Sequence, residues 1–190
     1  PGTGVLTAWE SFEMARFSGT SISSAIVTGA LAMELSRRPN LTPLELKQIL
    51  INYSNEAEEP GHDLVSGYGV VSLSRLENQG NLSYTDPAIV GYNFKYLNGL
   101  NSGTVPFEVM VQNQGNTWLN NLTLEVDYLD ISRSTKIDNL GPGKVHVETL
   151  YLQGHQIEGE IEINSRLKLS ENIQDNRPAN NQRNSLIELR

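Results

Sequence analysis

The chain of 190 residues contains 22 Asp and Glu against 14 Lys and Arg, so its formal net charge is −8. An acidic chain without a basic block argues against nucleic acid or an anionic membrane surface as a partner. Because there is no Cys, disulfides, thiolate metal sites and a cysteine nucleophile are excluded. The longest strongly apolar run, Ala25 to Leu35, is far shorter than the roughly 20 residues of a membrane-spanning helix.

The first residues, Pro1-Gly2-Thr3-Gly4, contain neither an initiator Met nor the pattern of a signal peptide. We therefore expect the chain to be part of a longer protein. Up to about Leu76 the apolar residues follow a mostly helical spacing, and past Pro87 they alternate with polar ones. This change of period predicts two domains, residues 1–80 and residues 85–190.

Two helices are predicted in the first domain. One spans about Thr20 to Ser36 and is apolar or small nearly all round, which is typical of a buried helix. The other begins at Thr42-Pro43-Leu44-Glu45, where Thr42 and Glu45 can form a capping box and Pro43 suits the first helical position. Its predicted apolar face consists of Leu44, Leu46, Ile49, Leu50 and Tyr53.

The second domain is predicted to be all-β. Residues 107–112, 122–128 and 157–163 alternate apolar and polar side chains, which is typical of antiparallel strands with one buried and one solvated face. About seven strands are expected between Ala88 and Leu189, which predicts an immunoglobulin-like sandwich of about 100 residues. The core of this sandwich is predicted to centre on Phe107, Val109, Leu124, Val126, Ile161 and Ile163.

The stretch from Phe17 to Gly29 reads FSGTSISSAIVTG and is the most informative for function. It places the Ser21 hydroxyl at a helix N-terminus, where free N–H groups and the helix dipole favour negative charge. Two interpretations stay open on this pattern alone. Ser21 is a nucleophile whose own N–H serves an oxyanion, or Thr20 or Ser21 merely caps the helix.

The order of motifs across residues 1–77 resembles the C-terminal part of the catalytic domain of subtilisin-like serine proteases, the subtilases. The resemblance is carried by Pro1-Gly2, by the strand Val5-Leu6-Thr7, by Gly19-Thr20-Ser21 before the long helix, and by Gly67-Tyr68-Gly69 before Val70-Val71. It implies a portion of a three-layer α/β domain. It also implies that Ser21 is the catalytic nucleophile and that Gly19 and Thr20 bind substrate.

The same resemblance implies a serine endopeptidase that acts on protein or peptide substrates at an extracellular or cell-surface location. The Asp and His of its catalytic triad would lie in the protease portion upstream of Ser21, so this chain alone is expected to be inactive. The three histidines of the chain, His62, His146 and His155, all follow the serine, and we expect them on the surface rather than as the base.

The sequence also departs from the subtilase pattern. Ile22, Ala25 and Ile26 stand where the motif usually has Met, Pro and His. None of those side chains carries out the chemistry in the family, so the nucleophile is retained. An alternative nevertheless stays open, in which the chain is a non-catalytic pseudo-protease scaffold that carries a β-sandwich binding or adhesion module.

The second domain resembles bacterial cell-adhesion-related (CARDB-like) domains. The resemblance is carried by residues 111–116, by Leu140-Gly141-Pro142-Gly143 and by the Asn-rich run from Asn172 to Asn181. Oxygen ligands near Glu171 and Asp175 raise the question of a calcium site. Their spacing fits no EF-hand loop, and Asn side chains suit turns, so we predict neither a metal nor a cofactor.

Overall fold

The computed structural model describes residues 2–94, 104–153, 159–171 and 173–189. The first part opens with a hairpin of β1 (Val5–Ala8) and β2 (Met14–Phe17), joined through a 3₁₀ turn at Glu10–Phe12. Three helices follow, α1 (Thr20–Arg37), α2 (Pro43–Asn52) and α3 (Leu73–Glu77). Between α2 and α3, strand β3 (Ser54–Asn55) pairs with β4 (Val70–Val71).

Helix α1 begins at the predicted residue, and the described residues bury only a small part of it. Its burial by a larger domain stays a prediction. Only Ala30 and Glu34 of this helix are buried, and the Glu34 carboxylate accepts hydrogen bonds from Arg38 and Gln79. Within the described residues α1 packs on α2 and on the segment after α3, and most of its remaining surface faces solvent. The helix therefore has more apolar side chains than these contacts bury.

Helix α2 begins with the predicted capping box. The Glu45 N–H donates to Thr42 Oγ1, and the Thr42 N–H donates to Glu45 Oε2 at 2.7 Å. Leu46 is buried, and Ile49, Leu50 and Tyr53 are half-buried, as predicted. Leu44 is 75% exposed, so the prediction that it joins the apolar face is wrong. As the second helical residue, it lies at the solvent side of the first turn.

The strands of this first part pair in two short antiparallel ladders, β1 with β2 and β3 with β4. A three-layer α/β domain is built on a parallel sheet. No parallel sheet is present among residues 2–94, so the α/β layer that the family resemblance implies is not confirmed. The described residues provide its helices and two small hairpin-like pairings.

The second part is a sandwich of seven antiparallel strands in the described ranges, which confirms the predicted all-β architecture. Its strands are β5 (Pro87–Phe94), β6 (Thr104–Asn113), β7 (Leu122–Tyr128), β8 (Ile131–Ile137), β9 (Val145–Gln153), β10 (Gly159–Lys168) and β11 (Gln182–Leu189). One sheet has the order β5-β6-β9 and the other β11-β10-β7-β8. All six predicted core residues are at most 2% exposed and belong to one apolar cluster between the sheets.

Strand β6 differs from the predicted alternation because both of its faces are buried. The inward face packs in the core of the sandwich. On the opposite face, Met110 and Gln112 are also almost completely buried. The chain after α2 covers them: the Gln112 Nε2 donates to Ser54 O at 3.3 Å, and the Glu56 N–H donates to Gln112 Oε1 at 3.1 Å. The expected solvated face of β6 is therefore an internal contact between the two parts of the chain.

Arg75 of α3 lies at the centre of this contact and is only 3% exposed. Its Nε donates to Gln114 O and its Nη2 to Asn52 O, each at 3.2 Å, while Nη1 donates to Ser54 O. One guanidinium thus joins the end of α2, strand β3 and the end of β6. We call residues 52–57, Arg75 and residues 112–115 the seam. The predicted boundary between residues 80 and 85 stays a prediction.

Candidate active site

Ser21 is the second residue of α1, and it is exposed. The first backbone hydrogen bond at this end of the helix runs from the Ile22 N–H to Gly19 O at 3.1 Å. The N–H groups of Thr20 and Ser21 therefore precede the intrahelical ladder. No side chain caps this helix, so the interpretation of Thr20 or Ser21 as a cap has no hydrogen bond to support it.

Gly19 sets the direction in which the chain enters α1. Its φ of 157° and ψ of 162° lie in a region that is essentially restricted to glycine. A Cβ at Gly19 would meet no atom within 4 Å, so the backbone angles and not the available space require glycine. Any other residue here would shift the turn that presents Ser21.

The segment from Gly2 to Gly4 contacts this turn from the other side. The Gly19 N–H donates to Gly2 O at 2.7 Å, and the Gly4 N–H donates to Ser18 Oγ at 2.9 Å. A Cβ on Gly2 would lie only 2.3 Å from Ser23 Oγ, so the approach is as close as glycine permits. Two backbone segments that are distant in sequence thus fix the position of Ser21.

The arrangement places an exposed hydroxyl and free N–H groups at the positive end of a helix of 18 residues. Within the described part of the chain, no hydrogen bond reaches the Ser21 side chain. The ring of His62 packs on Tyr68 with centroids 4.7 Å apart, and His146 Nε2 lies 3.4 Å from Glu148 Oε2 in the sandwich. His155 lies outside the described residues. The structure therefore brings no described histidine to the serine.

The loop from Asp63 to Gly69 returns the chain to β3. Asp63 Oδ1 accepts hydrogen bonds from the Val65 and Ser66 N–H groups, and the Ser66 hydroxyl is the main cause of the lowered pKa of Asp63. Gly69 has φ 91°, and a Cβ there would lie 2.3 Å from Asn55 O. Glycine is thus required at position 69, where the chain passes close to the backbone of β3.

A polar cavity of about 350 Å³ lies along the seam and is lined in part by Glu56, Arg75 and Lys144. Burial raises the pKa of the Glu56 carboxyl and lowers that of the Arg75 guanidinium. Sequence reasoning missed Arg75, because nothing in its local pattern separates it from an exposed helical arginine. Its role depends on carbonyl groups from three distant segments.

Among the described residues, no helix is long and apolar enough to cross a membrane. No group of three or more His, Asp or Glu side chains among them is placed to hold a metal ion. Glu171 is exposed in a turn, whereas Asp175 accepts hydrogen bonds from the Arg177 N–H and the Asn181 amide.

Comparison with known proteins gives a family match for the first part of the chain. Residues 5–69 match the model of the subtilase family, so the subtilase resemblance of this stretch is confirmed. The match includes Gly19, Thr20 and Ser21 and ends at Gly69. None of the curated proteins matches the chain.

The similar solved structures include the CARDB domain of a Pyrococcus furiosus protein, determined by NMR. It is 20% identical, with a TM-score of 0.44 over 55% of this chain and 94% of that chain. A crystal structure of that domain in complex with di-metal ions is 19% identical, with a TM-score of 0.43 over 55% and 88%. A β-glucosidase from Erythrobacter marinus is 17% identical, with a TM-score of 0.33 over 54% and 15%.

Proposed function

We propose that the chain supplies the nucleophile-bearing, C-terminal part of the catalytic domain of a subtilisin-like serine endopeptidase, followed by a β-sandwich accessory domain. The observation that carries this proposal is the position of Ser21, exposed in the first turn of a long helix directly after Gly19. The subtilase match of residues 5–69 supports it. An extracellular or cell-surface location belongs to the same proposal.

In the longer protein, Ser21 Oγ would attack the scissile carbonyl carbon, and an upstream His would accept its proton while an upstream Asp orients that His. The Ser21 N–H and an upstream side-chain donor would bind the oxyanion. Gly19 and Thr20 would line the path of the peptide substrate. Because a serine without a base is a poor nucleophile, the chain alone is expected not to hydrolyse peptides.

The upstream protease portion is also a suitable partner for the apolar surface of the first part. Leu6, Met14 and Leu35 are exposed, and Ile22 and Ile26 of α1 are only half-buried. In three-layer α/β domains the helices bury such side chains against a parallel sheet. We propose that strands from the upstream portion cover α1 in this way and complete the three-layer fold.

The experiment that tests the proposal is Ser21→Ala in the longer protein. If Ser21 is the nucleophile, peptidase activity should fall by several orders of magnitude, because the attacking oxygen is lost while the shape is kept. The melting temperature should stay almost unchanged, since the Ser21 side chain makes no hydrogen bond in the described structure. Retention of activity together with a loss of about 1 kcal/mol of stability would instead assign Ser21 as a helix cap.

Ser24→Ala is the matched control, because Ser24 is exposed on the same helix one turn further along. Ser18 and Ser23 are less suitable controls, since Ser18 Oγ bonds the Gly4 N–H and Ser23 packs against Gly2. Reaction of the longer protein with a fluorophosphonate separates the enzyme from a pseudo-protease scaffold. Rapid labelling that is lost in Ser21→Ala supports the enzyme, and no labelling supports the scaffold.

A further inference from the structure

A group of oxygen-bearing side chains lies where the chain enters the sandwich. Asp86, which precedes β5, is completely buried, and it meets the segment before β11. The Asn180 Nδ2 donates to Asp86 Oδ1 at 2.7 Å, and the Asn181 Nδ2 donates to Asp175 Oδ2. We call Asp86, Asp175, Asn180 and Asn181 the Asp86 cluster.

Two amide oxygens of the cluster are buried without a hydrogen-bond partner among the described residues. They are Asn180 Oδ1 and Asn181 Oδ1. Asn181 as a whole residue is only 8% exposed. A buried polar atom without a partner is costly, and native proteins rarely leave one. Each of these oxygens belongs to an amide that already contacts a carboxylate, so both are held within the cluster.

The charges of the cluster leave an excess of negative charge. Burial raises the pKa of the Asp86 carboxyl, and the Asp175 carboxylate raises it further. Arg177 Nη1 lies 3.6 Å from Asp86 Oδ2, which is an ion pair without a hydrogen bond, and the Arg177 side chain is largely exposed. With both carboxylates ionised, two negative charges face one guanidinium, which is a net charge of about −1.

Rotation of an asparagine amide by half a turn exchanges its nitrogen and its oxygen. In Asn180 and Asn181 this rotation would turn the unpartnered oxygen toward the neighbouring carboxylate, which is repulsive unless a cation lies between them. With a cation present, two carboxylates and two amide oxygens would face one ion. A hard divalent cation prefers this set of oxygen donors.

We propose that the Asp86 cluster is a calcium site that ties the entry of the sandwich to the segment before its last strand. The backbone around the site is already fixed. The Thr85 N–H donates to Asn176 Oδ1 at 2.8 Å, and the Asn176 N–H donates to Thr85 O at 2.9 Å. The Tyr84 hydroxyl donates to Asp86 Oδ2 at 3.1 Å and also contacts Ser74 of α3, so the ion would stiffen the link between the two parts.

The test uses the full chain after treatment with a chelator. Calorimetric titration with Ca²⁺ is expected to show one ion per chain, and Ca²⁺ is expected to raise the melting temperature. Tb³⁺ provides a second readout, because excitation of the neighbouring Tyr84 should sensitise its emission and Ca²⁺ should quench that emission by displacement. Absence of Ca²⁺ heat and of any Ca²⁺-dependent melting shift overturns the proposal.

Two variants assign the binding to these residues. Asp175→Asn removes one ligand charge at a partly exposed position and is expected to weaken Ca²⁺ binding at least about tenfold. Asp130→Asn, in the exposed turn between β7 and β8, removes the same charge elsewhere and should bind normally. Equal affinity in the two variants would place the ion at another site and refute the proposal.

Asn180→Asp adds a carboxylate to the cluster. If calcium binds there, this variant melts lower than the unaltered chain without calcium, because it adds like charge, and it binds calcium more tightly. If the cluster has only a structural role, the variant is destabilised equally with and without calcium. That second result would overturn the proposal, even if Asp175→Asn folded poorly.

Discussion

The two parts of the chain bury their apolar side chains very differently. The sandwich has 17 buried residues in one apolar cluster between its sheets. Among the residues of 2–82 whose side chains the structure describes, the buried apolar ones are Ala30, Leu46 and Leu76. Large apolar side chains are exposed there instead, namely Leu6, Trp9, Met14, Leu35, Leu44, Leu64, Val65, Tyr68, Val70, Leu73 and Leu82. The sandwich therefore has an apolar core of its own, whereas the described first part buries few apolar side chains.

The seam between the two parts is polar rather than apolar. It is held by the guanidinium of Arg75, by the amide of Gln112 and by backbone carbonyls. Hydrogen bonds of this kind contribute little net stability when they are formed but cost much when one partner is removed. The seam thus orients the first part on the sandwich and adds no apolar core to it.

Separation of the two parts is expected to have the largest effect. A fragment of residues 1–80 should bind a dye for apolar surfaces and melt without a cooperative transition, because it loses the seam and exposes its apolar side chains. A fragment of residues 85–190 should keep a dispersed amide spectrum and a cooperative melt, because its core is complete. Cooperative melting of the first fragment without dye binding would contradict this comparison, as would a collapsed spectrum of the second.

Arg75→Met tests the seam within the intact chain. The change keeps much of the side-chain volume but leaves the carbonyls of Asn52, Ser54 and Gln114 without their donor, so we expect a loss of about 3 kcal/mol. The chain has one tryptophan in each part, Trp9 and Trp118. Denaturant unfolding followed by fluorescence in Trp9→Phe and Trp118→Phe backgrounds therefore reports each part separately.

In Arg75→Met the transition reported by Trp9 should move to lower denaturant than in the unaltered chain, while the transition reported by Trp118 should move less. Arg166→Met, on the exposed face of β10, is the matched control and should change stability by no more than about 0.5 kcal/mol. A loss as large in Arg166→Met as in Arg75→Met would show that the seam has no special role.

Glu56→Gln is expected to have the smallest effect. Because burial raises the pKa of Glu56, the folded chain holds this proton more tightly than the unfolded chain does. The free energy of unfolding should therefore fall as pH rises from about 4.3, the usual glutamate value, through the raised pKa. Glu56→Gln removes this contribution, so its stability relative to the unaltered chain should rise across that window by less than about 1 kcal/mol.

Denaturant unfolding at several pH values measures this difference. Glu160→Gln, on the exposed face of β10, corrects for the loss of one negative charge. A relative stability of Glu56→Gln that falls with rising pH would mean that Glu56 is stabilised as a carboxylate, for example by Arg75, and not penalised by burial.

Features set by neighbouring residues were predictable from the sequence. Local spacing predicts the capping box at Thr42 and Glu45 and the start of α1 at Thr20. It also predicts the core-facing side chains around Val109 and Val126. Each depends on residues a few positions apart, so the pattern contains the whole cause. The placement of Ser21 in the first turn of α1 is of the same kind.

Features set by distant contacts were not predictable. The second buried face of β6 depends on residues 54–57, and the burial of Arg75 depends on carbonyls of Asn52 and Gln114. Neither segment alone carries a signal for the other. The apolar composition of α1 predicts more burial than the described packing provides, so that prediction depends on contacts with segments outside this chain.

The burial of both faces of β6 limits how freely the two parts of the chain can be exchanged during evolution. Its inward residues must match the other sheet, while Met110 and Gln112 must match the chain after α2. Transfer of the sandwich to an unrelated neighbour by recombination would leave an apolar side chain in solvent and a buried amide without its partners. Because the outer face of β6 packs on the chain after α2, we expect substitutions on that face to accompany changes around Ser54 and Glu56.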